Sequence, residues 1–293
     1  MGFGETIGNV FKSFAKQVSE DNVSDRFSRH TAKNVFGFYA PAENSGTTSL
    51  VCNIAEVLRG FGSPVLIMDF NFECPCAFKY FQDELESKYS FSRKLRNPAL
   101  EITELLGVSG NNIDVITMTG EEMPSQYCEV PIDLIRETIR QVSTMYKYVL
   151  IDLGTSANHD ATNDGLCECD KVYSVVTPNI AQISKLLVTK QALEPMGHYN
   201  KIKDVIQTIV HSGMEFPESE FADIGLNLIG NVPFDPDLAR FSSNFKVVSG
   251  GRSRNVSNYV KLVQAVANDI KTIVSNTDYV AKNEETSVDE EDE

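Results

Sequence analysis

The sequence is short of three things. It has few basic residues: 26 Lys and Arg stand against 41 Asp and Glu, giving a formal net charge of −15. Such a balance argues against a protein that wraps nucleic acid non-specifically, because phosphates would be repelled rather than attracted. It has no long apolar run. No stretch approaches the roughly 18 consecutive apolar residues of a membrane-spanning helix. The first residues also lack the continuous apolar core of a secretory leader. A cytoplasmic protein is expected, with its six cysteines reduced. Finally, no internal repeat and no sign of a second domain appear along the 293 residues, a length that suits one large domain with appendages.

Much of the negative charge is local. The last ten residues, EETSVDEEDE, carry seven acids, and the rest of the chain has a net charge of −8. Residues 276–293 are expected to be a disordered acidic tail with nothing to bury. At the other end, Phe3, Ile7, Val10, Phe11, Phe14 and Val18 fall three or four apart, which makes one face of an amphipathic helix over 1–23. Such a helix packs on the body or on a second copy. The sharper alternatives are docking to a partner or a weak peripheral membrane contact through residues 3–18. A polar, basic linker follows over 24–33.

Between these ends, short apolar runs rich in β-branched and aromatic residues recur at 34–40, 64–70, 113–117, 148–153, 171–177, 205–210 and 228–232. Near-continuous hydrophobicity suits strands buried on both faces. Segments of helical spacing lie at 47–60, 131–145, 180–194 and 256–274. The alternation predicts an α/β fold over 34–275: a doubly wound, mostly parallel sheet flanked by helices.

Ligands of such sheets sit beyond the C-terminal strand ends. There the first strand delivers PAENSGTTS, which has the outline of a phosphate-binding loop. Gly46 permits close backbone approach, and the helix that follows offers N–H groups to an anion. Asn44, Ser45, Gly46, Thr47, Thr48 and Ser49 are the candidate phosphate contacts, with Thr48 or Ser49 placed to hold Mg²⁺. The lysine that reaches the β- and γ-phosphates in a Walker A loop is replaced by Thr47. Two further strands end in Asp69 and Asp152, the kind of carboxylate that holds Mg²⁺ beside a phosphate loop. Two C-x-C pairs, Cys74 with Cys76 and Cys167 with Cys169, raise a metal or iron–sulfur site. The pattern places them at opposite ends of the sheet, which leaves small buried thiols as the plainer reading.

Taken together, NVFGFYAPAENSGTTSLVCNIAEVL, PVLIMDFNFE, YKYVLIDLGTSANHD and LIGNVPFDPDLAR resemble the ParA/MinD-type deviant Walker ATPases over roughly 34–272. Within that family the SGTTSL loop is most similar to TadZ/CpaE-type pilus-assembly localisation proteins. The resemblance implies Mg²⁺ held by Thr48 and Asp152, adenine contacts from the Pro233–Asp235 turn and from the position of His211, and a homodimer. It also shows where this chain departs: the family's early loop lysine falls on Ala42, the Walker lysine on Thr47, the water-orienting second acid on Asn71 and the adenine-contacting Asn on His211. Loss of two cations and one carboxylate implies that ATP and Mg²⁺ bind weakly, or not at all if the site is fully degenerate, with hydrolysis very slow or absent. Arg252 and Arg254 are the nearest candidates to compensate, while Lys171, Lys185 and Lys190 are expected on the solvated surface. The implied function is a localisation scaffold for a pilus, secretion or conjugation machine. The alternatives are a slow ATP-dependent dimerisation switch and a DNA-partitioning protein, against which the acidic body counts.

Overall fold

Each predicted strand is a run whose side chains have apolar neighbours on both sides, and the computed structural model pairs all of them. It describes residues 33–71, 74–81, 97, 99–108, 111–117, 132–155, 160–208, 215–248 and 253–289. The expected helix over 1–23 and nearly all of the linker lie outside the described residues, as do His211 and Arg252. Seven strands, β1 (Val35–Tyr39), β2 (Val65–Asp69), β3 (Ile113–Ile116), β4 (Tyr148–Asp152), β5 (Lys171–Val176), β6 (Ile202–Thr208) and β7 (Asn227–Val232), form one sheet in the order β3-β2-β4-β1-β5-β6-β7. Every strand pair in it is parallel.

Helices cover both faces. α1 (Thr47–Arg59) and α7 (Arg254–Asp289) lie on one, and α2 (Ile132–Met145), α3 (Asp160–Glu168), α4 (Ile180–Ala192) and α5 (Glu218–Asp223) on the other, with α6 (Pro236–Ser243) after β7. Strand side chains alternate between the two layers. In β4, Val149 and Ile151 join the core under α2 and α3, while Tyr148 and Leu150 join the core under α1 and α7. The short helices α3, α5 and α6 have no counterpart among the helical segments expected from spacing, because each is too brief to show a repeating apolar face. α7 continues to Asp289, through most of the segment expected to be a disordered tail, and no Gly or Pro interrupts it.

Two lysines expected in solvent have structural work. Lys171 bridges Asp204 on β6 and Asp269 on α7, each at 2.7 Å, and Asp269 also accepts from the Tyr173 hydroxyl at 2.5 Å. Lys190 is 4% exposed and donates to the Gly225 carbonyl at 2.9 Å, closing the end of α5. Both carry long apolar stems that pack while the charge finds an oxygen. Lys185 remains exposed, donating to the Thr155 carbonyl.

β1 sits at the centre of the sheet, and its Gly37 has no room for a side chain. A Cβ there would meet Cys169 Sγ at 2.7 Å and Leu153 Cδ1 at 2.9 Å, both in the core. Gly37→Ala should therefore lower stability by about 1–3 kcal/mol through overpacking, read as a fall in denaturant midpoint with unchanged m-value.

Candidate functional site

The site begins with strand register. Phe38 of β1 and Asp69 of β2 both pair with Asp152 of β4, so three strands end level with one another. The chain turns to opposite sides of β1 as it leaves for β2 and, later, for β5, which opens a crevice at this edge. The loop between β1 and α1 fills one wall. Asn44 (φ 57°) and Gly46 (φ 80°) take left-handed conformations that wrap the backbone around a small space, and Gly46 caps α1. Internal bonds hold the loop. The Ser45 hydroxyl donates to the Ala42 carbonyl at 2.8 Å, and the Thr208 hydroxyl on β6 donates to the Ser45 carbonyl at 2.9 Å. Asn53 on α1 donates to the Ser49 carbonyl and accepts from the Val248 amide, both at 2.7 Å.

Asp152 is fully buried, and its carboxylate accepts from the Thr48 hydroxyl at 2.5 Å and from the Gly154 amide at 3.3 Å. Asp69, 1% exposed, accepts from the amides of Asn71 and Ala77 at 3.2 and 2.8 Å. It thus anchors the segment after β2. Burial pushes both carboxyls well above the ordinary range, and the Asp152 charge raises Asp69 further. Two ionised carboxylates held side by side repel one another, and a divalent ion at Thr48 and Asp152 would relieve that repulsion. The donor set therefore fits a hard cation such as Mg²⁺.

The crevice is a cleft of about 610 Å³ lined by the loop from Ala42 to Leu50, by Asn71, Cys74, Cys76, Asp152 and Gly154, and by the turn Pro233–Asp235. The structure thus brings together Asn44 to Ser49, Asn71, Asp152, Pro233 and Asp235 around one space, with Asp69 directly behind. Asp235 caps α6 through the Asp237 amide and accepts from the Ser253 hydroxyl, which keep its carboxyl below the ordinary range. Arg254, at the start of α7, does not line the cleft.

Several wall residues were not singled out from the sequence: Tyr80, Thr208, Phe245 and Tyr259. No motif or period marks them, since each reaches the cleft from a different element. Burial, followed by the nearby Asp69 and Asp152, pushes the Cys76 thiol up to about 12. It therefore stays a neutral thiol. Cys167 is pushed up to about 11, chiefly by burial, and Cys169 is also raised. This second pair lies at the start of β5, at the other end of the sheet from Cys74 and Cys76. Among the described residues no group of three or more His, Cys, Asp or Glu side chains gathers as a metal centre.

The seven-stranded parallel sheet flanked by helices is the fold of solved MinD and ParA-type P-loop ATPases. No family model matches the sequence, and no curated protein matches it. Solved structures do match its fold. MinD in the MinC:MinD cell division complex of Aquifex aeolicus superposes with a TM-score of 0.66 at 17% identity, covering 80% of this chain and 96% of that one. MinD of Pyrococcus horikoshii, complexed with Mg-ADP, gives 0.65 at 14% identity, with coverages of 80% and 95%. A ParA family ATPase from Chlorobium tepidum gives 0.64 at 18% identity, with coverages of 80% and 99%.

Carboxyls with raised values in the folded state release protons later than in the unfolded chain. Stability is full below the ordinary carboxylate range and falls as pH rises through the raised values. The ligand-free protein should lose Tm between about pH 5 and about pH 8, and Asp69→Asn should flatten that slope in a thermal melt.

Proposed function

We propose that this chain is an ATPase-like localisation factor with a degenerate nucleotide site, acting as a scaffold that places or assembles a pilus, secretion or conjugation-type machine, in the manner of TadZ/CpaE-type proteins. The observation that carries the reading is the loop itself. It keeps the backbone shape of a phosphate loop, the Thr48–Asp152 pair and the level strand ends, yet has Ala42, Thr47 and Asn71 where charge and water-orienting groups belong. Phosphoryl transfer depends on positioning and on cations around the transferred group. This site retains the first and has lost much of the second.

The residues that would hold Mg²⁺ are Thr48 and Asp152. When bound, the ion would supply charge to polyphosphate oxygens. Asn44 to Ser49 would cradle the phosphates, and Pro233 and Asp235 would border the base, with His211 as a further base contact. A homodimer is the natural assembly. Ile180, 74% exposed, and Phe234, 48% exposed, follow β5 and β7 at the same edge as the cleft and offer apolar contact to a second copy. The N-terminal segment 3–18 is the candidate for docking to the served machine or for weak contact with a membrane surface. No helix among the described residues is long and apolar enough to cross a membrane. The acidic charge continues to argue against DNA as the surface on which the protein is placed.

The retained Thr48–Asp152 pair also favours a second reading, a slow ATP-dependent dimerisation switch. Steady-state phosphate release decides between them. The native protein should turn over ATP·Mg at least about 100-fold more slowly than a typical enzyme rate of about 10 per second. Thr47→Lys should strengthen ATP·Mg binding, measured by calorimetry. Measurable native turnover, however slow, coupled to ATP-dependent dimerisation in sedimentation, would establish the switch instead.

A further inference from the structure

We infer that the cleft selects a nucleoside monophosphate over the corresponding triphosphate, inverting the order of preference expected of a phosphate loop. The inference rests on the reading of the cleft as a nucleotide site and specifies its ligand.

At the loop end the described lining residues supply hydrogen-bond donors and no fixed positive charge. α1 is thirteen residues long, and its hydrogen bonding begins with the Leu50 amide reaching the Gly46 carbonyl at 3.0 Å. The amides of Thr47, Thr48 and Ser49 precede that bond and belong to the first turn, whose N–H groups have no acceptor within a helix. Thr47 is 8% exposed, lines the cleft, and has a buried hydroxyl with no hydrogen-bond partner. Such a hydroxyl is normally satisfied, and one oxyanion next to the α1 terminus would satisfy it. One phosphate group uses up these donors.

The charges at the same end oppose a second and third phosphate. Glu43 and Asp152 both line the cleft, and the two positions from which lysine would reach them are Ala42 and Thr47. No Lys or Arg stands among the described lining residues. A helix terminus contributes only about half a positive charge, while each extra phosphate adds about one negative charge beside the carboxylates. The single group of a monophosphate carries about 1.5 to 2 negative charges, and the balance worsens with each phosphate added to it.

An aromatic wall adjoins the first turn of α1, where Tyr80 and Tyr259 hydrogen-bond Ser49, and takes the planar base. Phe245 stands there at φ 51°, a strained backbone for a bulky side chain, fixed by an edge-on contact with Tyr80 at 5.7 Å and by Lys79 4.9 Å from its ring. With Leu238 and Tyr259 it gives a rigid apolar face, and the cleft's volume of about 610 Å³ suits a ligand of nucleotide size. Binding there depends on stacking and burial, which the absent lysines do not affect.

The test is calorimetry on the full chain with the mono- and triphosphates of the four common ribonucleosides, each with and without Mg²⁺. At least one monophosphate should bind about tenfold or more tightly than its triphosphate, with little effect of Mg²⁺ on the monophosphate. Glu43→Gln, at an exposed position that folding tolerates, should narrow the ratio by improving the triphosphate. Thr47→Lys should reverse it. A triphosphate that binds tighter than its monophosphate overturns the inference. If that triphosphate is not hydrolysed, the scaffold reading survives; if it is hydrolysed rapidly, both fall. Absence of binding by every nucleotide overturns the inference and leaves a constitutive scaffold.

Discussion

Everything at the loop edge depends on the register between β1, β2 and β4. Because Asp69 and Asp152 pair directly, two carboxyls are buried side by side. A one-residue slip in either strand would turn one of them to the other face of the sheet, into apolar packing. The sheet also gives each carboxyl somewhere to spend its oxygens: Asp152 on Thr48 and Gly154, Asp69 on the amides of the segment that follows it. Buried polar groups are tolerated only with such partners. The same pair that organises the edge stores unfavourable charge there, and in this fold a divalent cation is the natural relief.

The fold was largely legible before any coordinates. Strands buried on both faces announce themselves as unbroken apolar runs, and all seven were located to within about three residues of their ends. α1, α2 and α4 were equally plain, since each carries a repeating face. The limits were physical. α3, with Gly165 and Asn163 inside it, forms because Leu166 packs into the core and not because its residues favour helix. The functions of Lys171 and Lys190 depend on what lies opposite them, across sequence separations that no local pattern records.

The site divides in the same way. The loop, Asp69, Asp152 and the Pro233–Asp235 turn lie on strand ends, and strand ends can be predicted. The aromatic wall comes from three separate elements and could not be. Tyr80 belongs to a single turn after β2, Phe245 follows α6, and Tyr259 lies on α7. Their convergence is a product of tertiary packing, so the loop side of the cleft was visible in the sequence while its aromatic side was not.

Ser45, Thr208 and Asn53 hold the loop in shape through neutral hydrogen bonds to backbone atoms. Ala42, the one position among them where a lysine would have carried charge, takes part through its backbone carbonyl alone. Side-chain charge at the loop is therefore independent of the bonds that shape it. A chain with this loop can exchange the side chains at positions 42 and 47 without losing the hydrogen bonds that hold the loop in shape.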